Sequence, residues 1–220
     1  KNLAELTGID FKNSEDLIAA TSDCGAYMTL SSAIKGLAVK MTKVCNDIRL
    51  LASGPRCGLK EINLPQLQPG SSIMPGKVNP VAAEVANQAS FLAIGLDTTV
   101  MLAASAGQLE LNVMEPVITF ALYTQMKVMT NACDTLRTKL VEGVTANTER
   151  CKDYVMNSIG IVTLLKPHFG YQKCAAIAKE GYTTGKSLHQ IVVDEQHLMT
   201  QAEWEATFNT QNLIHPKFVK

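Results

Sequence analysis

Aromatic side chains are scarce: Phe, Tyr and Trp make up 5% of the 220 residues, with a single Trp. A core must therefore be built from Ala, Leu, Val, Ile and nine Met, a palette that favours helices over a β-sandwich. Excess charge is lacking too. Twenty basic residues balance twenty acidic ones, leaving no footprint for nucleic acid and no basic stripe for an anionic membrane surface. No C-x-x-C pair occurs among the six cysteines, and the four histidines have no mutual ligand spacing, so no metal site is expected. The cysteines read as small apolar residues of a reducing compartment, which points to the cytoplasm. The first residues, Lys1–Leu6, carry no Met and no signal-peptide apolar region, and no long uncharged apolar run has the flanks of a membrane span. With 46% hydrophobic residues, disorder and a disulfide scaffold are both excluded.

What is present is helical periodicity. Ser14, followed by Glu15 and Asp16, reads as an N-cap with acids in the first turn. Leu30, Ile34, Leu37, Met41, Val44, Ile48 and Leu51 then recur at three- and four-residue steps until Gly54-Pro55. A second helix is expected from Val81 to about Ala104, with Val85, Gln88, Ala89, Leu92, Leu96 and Val100 in step. Between Glu84 and Glu110 its only charge is Asp97, so it belongs in the middle of a bundle. A third runs from near Asn112 to Leu140, with Pro116 in its first turn. Met28, Met41, Met101, Met114, Met126 and Met129 read as bundle core.

Beyond Gly143 the helices shorten and charge returns. Tyr171–Gly181, Ser187–Asp194 and a capping box at Thr200-Gln201-Ala202-Glu203 are expected, with Tyr154 and Trp204 as anchors. The fold class is therefore all-α. Long bundle helices occupy residues 1–143, including the loop described next, and a small helical C-terminal domain occupies 144–220.

The informative segment is Gly70-Ser71-Ser72-Ile73-Met74-Pro75-Gly76-Lys77-Val78-Asn79-Pro80, inside an irregular stretch of residues 56–80. So long a loop in a compact domain tends to be functional. Glycines at 70 and 76 permit tight turning and close approach. Serine hydroxyls and successive backbone N–H groups can stabilise an oxyanion. Lys77 and Asn79 share a face of an extended loop and together suit a carboxylate. A phosphate loop is excluded, because Gly70 to Gly76 is one residue too long and Val78 follows the lysine. Gly181–Ser187 is one residue too short for the same motif; Gly185 reads there as a helix terminator and Ser187 as an N-cap.

The pattern G-S-x-x-M-x-x-K-x-N is matched in full at residues 70–79, and on it the chain resembles the aspartase/fumarase superfamily. Asn46–Leu51, Ser53-Gly54-Pro55-Arg56 and Gly107–Asn112 extend the likeness over nearly the whole length. The resemblance implies the C-terminal part of the superfamily's central bundle, followed by its small C-terminal domain. It implies Ser71 as general base, Ser72 on one substrate carboxylate, and Lys77 with Asn79 holding the other through a dianionic aci-carboxylate. Gly70, Ile73 and Met74 complete the loop. Glu84 matches the family's acid that pairs with an active-site histidine, and equally fits a helix-capping acid. A small dicarboxylate (L-aspartate or fumarate) is the implied ligand, with no organic cofactor. A homotetramer built through the bundle is implied as well.

Asn157–Thr163, Met114–Val117 and Asn212–Pro216 are similar to the aspartase branch, whereas Pro75-Gly76-Lys77 and Arg56-Cys57-Gly58 are common in fumarases. Aspartate ammonia-lyase activity is the expectation, with class II fumarase or a non-catalytic helical module as alternatives. The family's other two active-site regions lie in an N-terminal half that these residues do not include. This stretch is expected to act with that half rather than alone.

Overall fold

The computed structural model describes residues 2–70, 74 and 76–215. The chain divides into two compact units, Lys1–Ala146 and Asn147–Lys220.

The first unit is organised on three long helices. Two short helical segments precede them, α1 (Asn2–Thr7) and α2 (Ala19–Ser22). Ser14 is not the N-cap expected of it. Asp16 instead accepts from the backbone N–H groups of Ile18 and Ala19 at 2.9 and 3.0 Å, just ahead of α2. The long helix α3 starts later, at Gly25–Leu51, where Asp23 accepts from the Gly25 N–H at 2.8 Å. The chain then runs through β1 (Ile62–Asn63) and the loop to α4 (Val81–Ser105), and on to α5 (Glu115–Lys139) with Pro116 in its first turn. Asn46–Asn87, Lys35–Asp97 and Gln125–Ala93 contacts make α4 antiparallel to both neighbours. The loop, the start of α4 and the end of α5 thus share one end of the bundle. A two-residue ladder closes that end: β2 (Thr145–Ala146) pairs antiparallel with β1.

The packing corrects the expected stripes. Within the chain, α3 buries Ser31, Ala38, Met41 and Cys45, while Leu30, Leu37 and Val44 are exposed. Helix α4 buries Ala82, Ala83, Ala86, Ala93 and Val100; Val85 and Leu92 face outward. Small side chains bring the helix backbones close, and the larger apolar residues are left for another surface. The methionines divide likewise, Met41 and Met129 buried and Met28, Met101, Met114 and Met126 exposed. By length and composition α4 could cross a membrane. Its polar residues Asn87, Ser90 and Asp97 are nevertheless buried in the bundle. Asp97 accepts from Ser31 at 2.8 Å and pairs with Lys35, so the one charge on this helix beyond its first turn is an interhelical tie.

The second unit is a chain of shorter elements: α6 (Thr148–Met156), a 3₁₀ segment (Ile159–Leu165), α7 (Lys166–Thr184), a π-helical turn (Gln190–Glu195), α8 (Gln201–Thr207) and α9 (Thr210–Ile214). Helix α7 is interrupted at Gly170 (φ 72°, ψ 170°) and ends on Gly185 in the left-handed region. The capping box at Thr200 and Glu203 is formed in both directions. Trp204 is buried and stacks on Phe208 with ring centroids 3.9 Å apart. Tyr154, expected as an anchor, instead lies at the surface with the Arg150 guanidinium over its ring. Cysteine burial is mixed as well: Cys24, Cys45 and Cys174 are buried, Cys57 and Cys133 exposed.

Candidate active site

The site begins where α3 stops. Ser53 accepts from the backbone N–H groups of Leu59 and Lys60, and Leu51 from that of Glu61, which folds residues 53–61 back on the helix end. A Cβ at Gly58 would sit 2.4 Å from the Ser53 carbonyl carbon, so only glycine fits this turn.

The signature loop closes on itself. At Gly70 an added Cβ would lie 2.6 Å from the Lys77 carbonyl oxygen and 3.0 Å from the Lys77 nitrogen. Lys77 N–H in turn donates to the Met74 carbonyl at 3.2 Å. Residues 70 and 77 therefore form the neck of the loop. At Gly70 the close approach is to the loop's own backbone. Gly76 adopts φ 79° in open space, a left-handed turn just before the lysine. Of the expected site residues, Ser71, Ser72 and Ile73 lie outside the described residues. Met74 is exposed at the loop tip.

Lys77 is exposed and Asn79 half-buried. Among the described residues no side chain pairs with either the Lys77 ammonium or the Asn79 carboxamide. A cation two residues from an amide donor suits a carboxylate. Glu84 lies in the first turn of α4, where its charge opposes the positive end of the helix dipole. Among the described residues no group of three or more His, Cys, Asp or Glu could hold a metal ion.

Asn79 also lines a shallow recess that no local sequence signal announces. Leu64, Pro65 and Leu67 form one flank, and Lys139 with Leu140 at the end of α5 form another. The β1–β2 pairing, across more than 80 residues of sequence, and the bundle core that joins Leu64, Ala82 and Leu140 bring these segments together.

Residues 1–95 match the family model described as Lyase, and residues 161–215 match the one described as Fumarase C C-terminus. The aspartate ammonia-lyase of Escherichia coli (strain K12) is 56% identical over 218 residues, 99% of this chain and 45% of the relative. The chain belongs to the aspartase/fumarase superfamily. A second superfamily relative, the aspartate ammonia-lyase of Helicobacter pylori (strain ATCC 700392 / 26695), is 52% identical over 100% of the chain and 47% of its own length. The chain thus spans about half the length of the curated relatives it matches. Two solved superfamily structures are similar to it. A fumarate lyase:delta crystallin from Brucella melitensis bound to cobalt has a TM-score of 0.89 and 41% identity, covering 93% of this chain and 44% of that one. A class II fumarase from Schistosoma mansoni has a TM-score of 0.85 and 33% identity, covering 94% and 43%.

Proposed function

We propose that the complete protein is an aspartate ammonia-lyase, interconverting L-aspartate with fumarate and ammonia. The observation that carries this reading is the signature loop, whose neck is closed between Gly70 and Lys77 and in which neither Lys77 nor Asn79 pairs with a side chain among the described residues. The 56% identity to an aspartate ammonia-lyase, against 33% to a class II fumarase, supports the aspartase branch.

In the proposed reaction Ser71, as its alkoxide, takes the proton from carbon 3 of aspartate. The electron pair moves into the adjacent carboxylate to give the dianionic aci-carboxylate. Lys77 and Asn79 hold that carboxylate from the ground state through the aci-carboxylate, and the lysine charge stabilises the added negative charge more than it does the ground state, which is what lowers the barrier. The pair then returns to form the carbon 2–carbon 3 double bond, and ammonia leaves carbon 2. Serine is a poor base at its ordinary pKa, so the loop must supply an oxyanion environment when it closes over substrate. Ser72 holds the other carboxylate. Glu84 orients a histidine contributed by the N-terminal half of the enzyme, which also supplies the remaining substrate contacts.

We further propose a homotetramer assembled through the bundle. The outward-facing Leu37, Val44, Phe91, Leu92, Leu102 and Phe120 support this, since so large an apolar surface on long helices calls for a covering partner.

Fumarate release is followed at 240 nm with the complete protein. L-aspartate should support it and L-malate should not, and Ser71→Ala should abolish it with the oligomer mass unchanged. Turnover of malate alone would move the assignment to a class II fumarase. Full activity in Ser71→Ala would overturn the base assignment.

A further inference from the structure

We infer that Gly143, far from the signature loop in sequence, is a positioning residue for Asn79, acting through the ring of Pro65. This inference rests on the proposed dicarboxylate chemistry.

Four observations carry it. The 3₁₀ turn Val141–Gly143 follows α5 directly, and the Gly143 N–H donates to the Leu140 carbonyl at 3.0 Å. Two residues later this strap, residues 141–146, is fixed to the approach of the loop, with Ile62 opposite Ala146 and Asn63 opposite Thr145. The Asn63 carboxamide also donates to the Thr145 hydroxyl at 3.3 Å. Between these two fixings, a Cβ at Gly143 would lie 2.7 Å from Pro65 Cγ and 3.6 Å from Pro65 Cβ. Finally, Pro65 forms one wall of the recess whose other walls include Asn79 and the buried Leu140.

The backbone of Gly143 is not in the left-handed region, so an alanine there meets a steric obstacle and no conformational one. That obstacle is stiff, because a proline ring cannot swing aside as a long side chain can. A methyl group must therefore displace Pro65 by several tenths of an ångström, and the wall facing Asn79 moves with it. A hydrogen bond from Asn79 to a substrate carboxylate depends steeply on such a shift. The glycine at 143 leaves Pro65 seated against the strap and the loop exit where the clamp needs it.

The test uses the complete, assembled protein carrying Gly143→Ala, Pro65→Ala or both. Gly143→Ala should raise KM for L-aspartate about five- to tenfold, the size of one weakened charge-assisted hydrogen bond, with kcat changed less than about twofold. The dissociation constant of succinate, which binds without reacting, should rise by a similar factor. The double variant should return both constants to within about twofold of wild type, because removing Cγ clears the collision. Should Gly143→Ala fail to assemble, the double variant carries the test, with assembly restored and both constants within about twofold of wild type expected, and a rise above about fivefold overturning the inference. An assembled Gly143→Ala protein with unchanged KM and succinate binding would overturn the inference. So would a fall in kcat at constant KM, or a double variant no better than the single. A wild-type protein that turns over neither aspartate nor malate would refute the proposed function instead, and this inference with it.

Discussion

Removing the carboxylate from α4 should destabilise the bundle and flatten its response to acid. Asp97 is only 8% exposed, and its two oxygens accept from Ser31 at 2.8 Å, from Ser32 at 3.4 Å and from the Lys35 ammonium. Burial pushes its carboxyl up. The hydrogen bonds from Lys35 and Ser31 and the positive charge of Lys35 outweigh this and hold it below the ordinary carboxylate range. Hydrogen bonds to a charged group are worth about 1.5–3 kcal/mol each. The lysine bond counts for less than that, since the Lys35 side chain is 42% exposed and water can replace its partner. Ser31 is fully buried and would be left with the Gln125 amide alone. Asp97→Ala should therefore cost about 2–4 kcal/mol at pH 7. The sign of the pH effect follows from the lowered pKa. The stabilisation is fully present above the unfolded value, about 3.9, and is lost as pH falls through the folded one. Guanidinium unfolding followed by far-UV circular dichroism, at fixed protein concentration between pH 3 and 7, measures both. A cost below about 1 kcal/mol at pH 7, or an acid limb of unchanged slope, would refute the assignment of Asp97 as the tie.

Gly70→Ala should lower fumarate formation by the complete protein more than about 100-fold, because its Cβ meets the Lys77 peptide at 2.6 Å and the loop neck must open. Its helical circular dichroism should be unchanged, and activity above a tenth of wild type would contradict a closed neck. Gly185→Ala should destabilise the second unit by about 1 kcal/mol through the left-handed C-cap, as read by fluorescence of the single buried Trp204. The Thr200 backbone N–H and hydroxyl hold the Glu203 carboxyl below its ordinary range. The capping box should thus stabilise α8 above the unfolded glutamate pKa and weaken as pH falls through the folded one. In Glu203→Gln, which no longer titrates, hydrogen exchange across residues 200–207 should lose that acid dependence.

Local chemistry was the most legible layer. The Thr200 capping box, the Gly185 terminator and Pro116 in the first turn of α5 form as read, because each depends on residues within a turn of one another. Helix starts governed by competing caps were less so. Asp16 and Asp23 interrupt what periodicity alone would run through from Ser14, since each side chain captures nearby backbone N–H groups. The apolar stripes of α3 and α4 were visible, yet periodicity does not say which surface covers a stripe. The chain keeps Ala38, Ala86 and Ala93 for itself and turns Leu37, Val85 and Leu92 outward. At the site, Lys77 and Asn79 could be located from the motif. The Gly70 contact with the Lys77 peptide and the Gly143 contact with Pro65 could not, because both arise from chain crossings that no local pattern encodes.

The alanine-lined seams between the long helices also shape how this sequence can change over evolutionary time. A leucine-rich core is eroded by truncation, one cavity at a time, and drifts among residues of similar volume. Ala38, Ala83, Ala86 and Ala93 are fully buried and have almost nothing to truncate, so nearly every available step at these positions is an enlargement that forces the backbones apart. Saturation mutagenesis should therefore find an inverted profile. Serine and glycine would survive at these seams, whereas valine, leucine and phenylalanine would be purged, and the larger apolar residues on the outward faces would vary only in concert with whatever covers them.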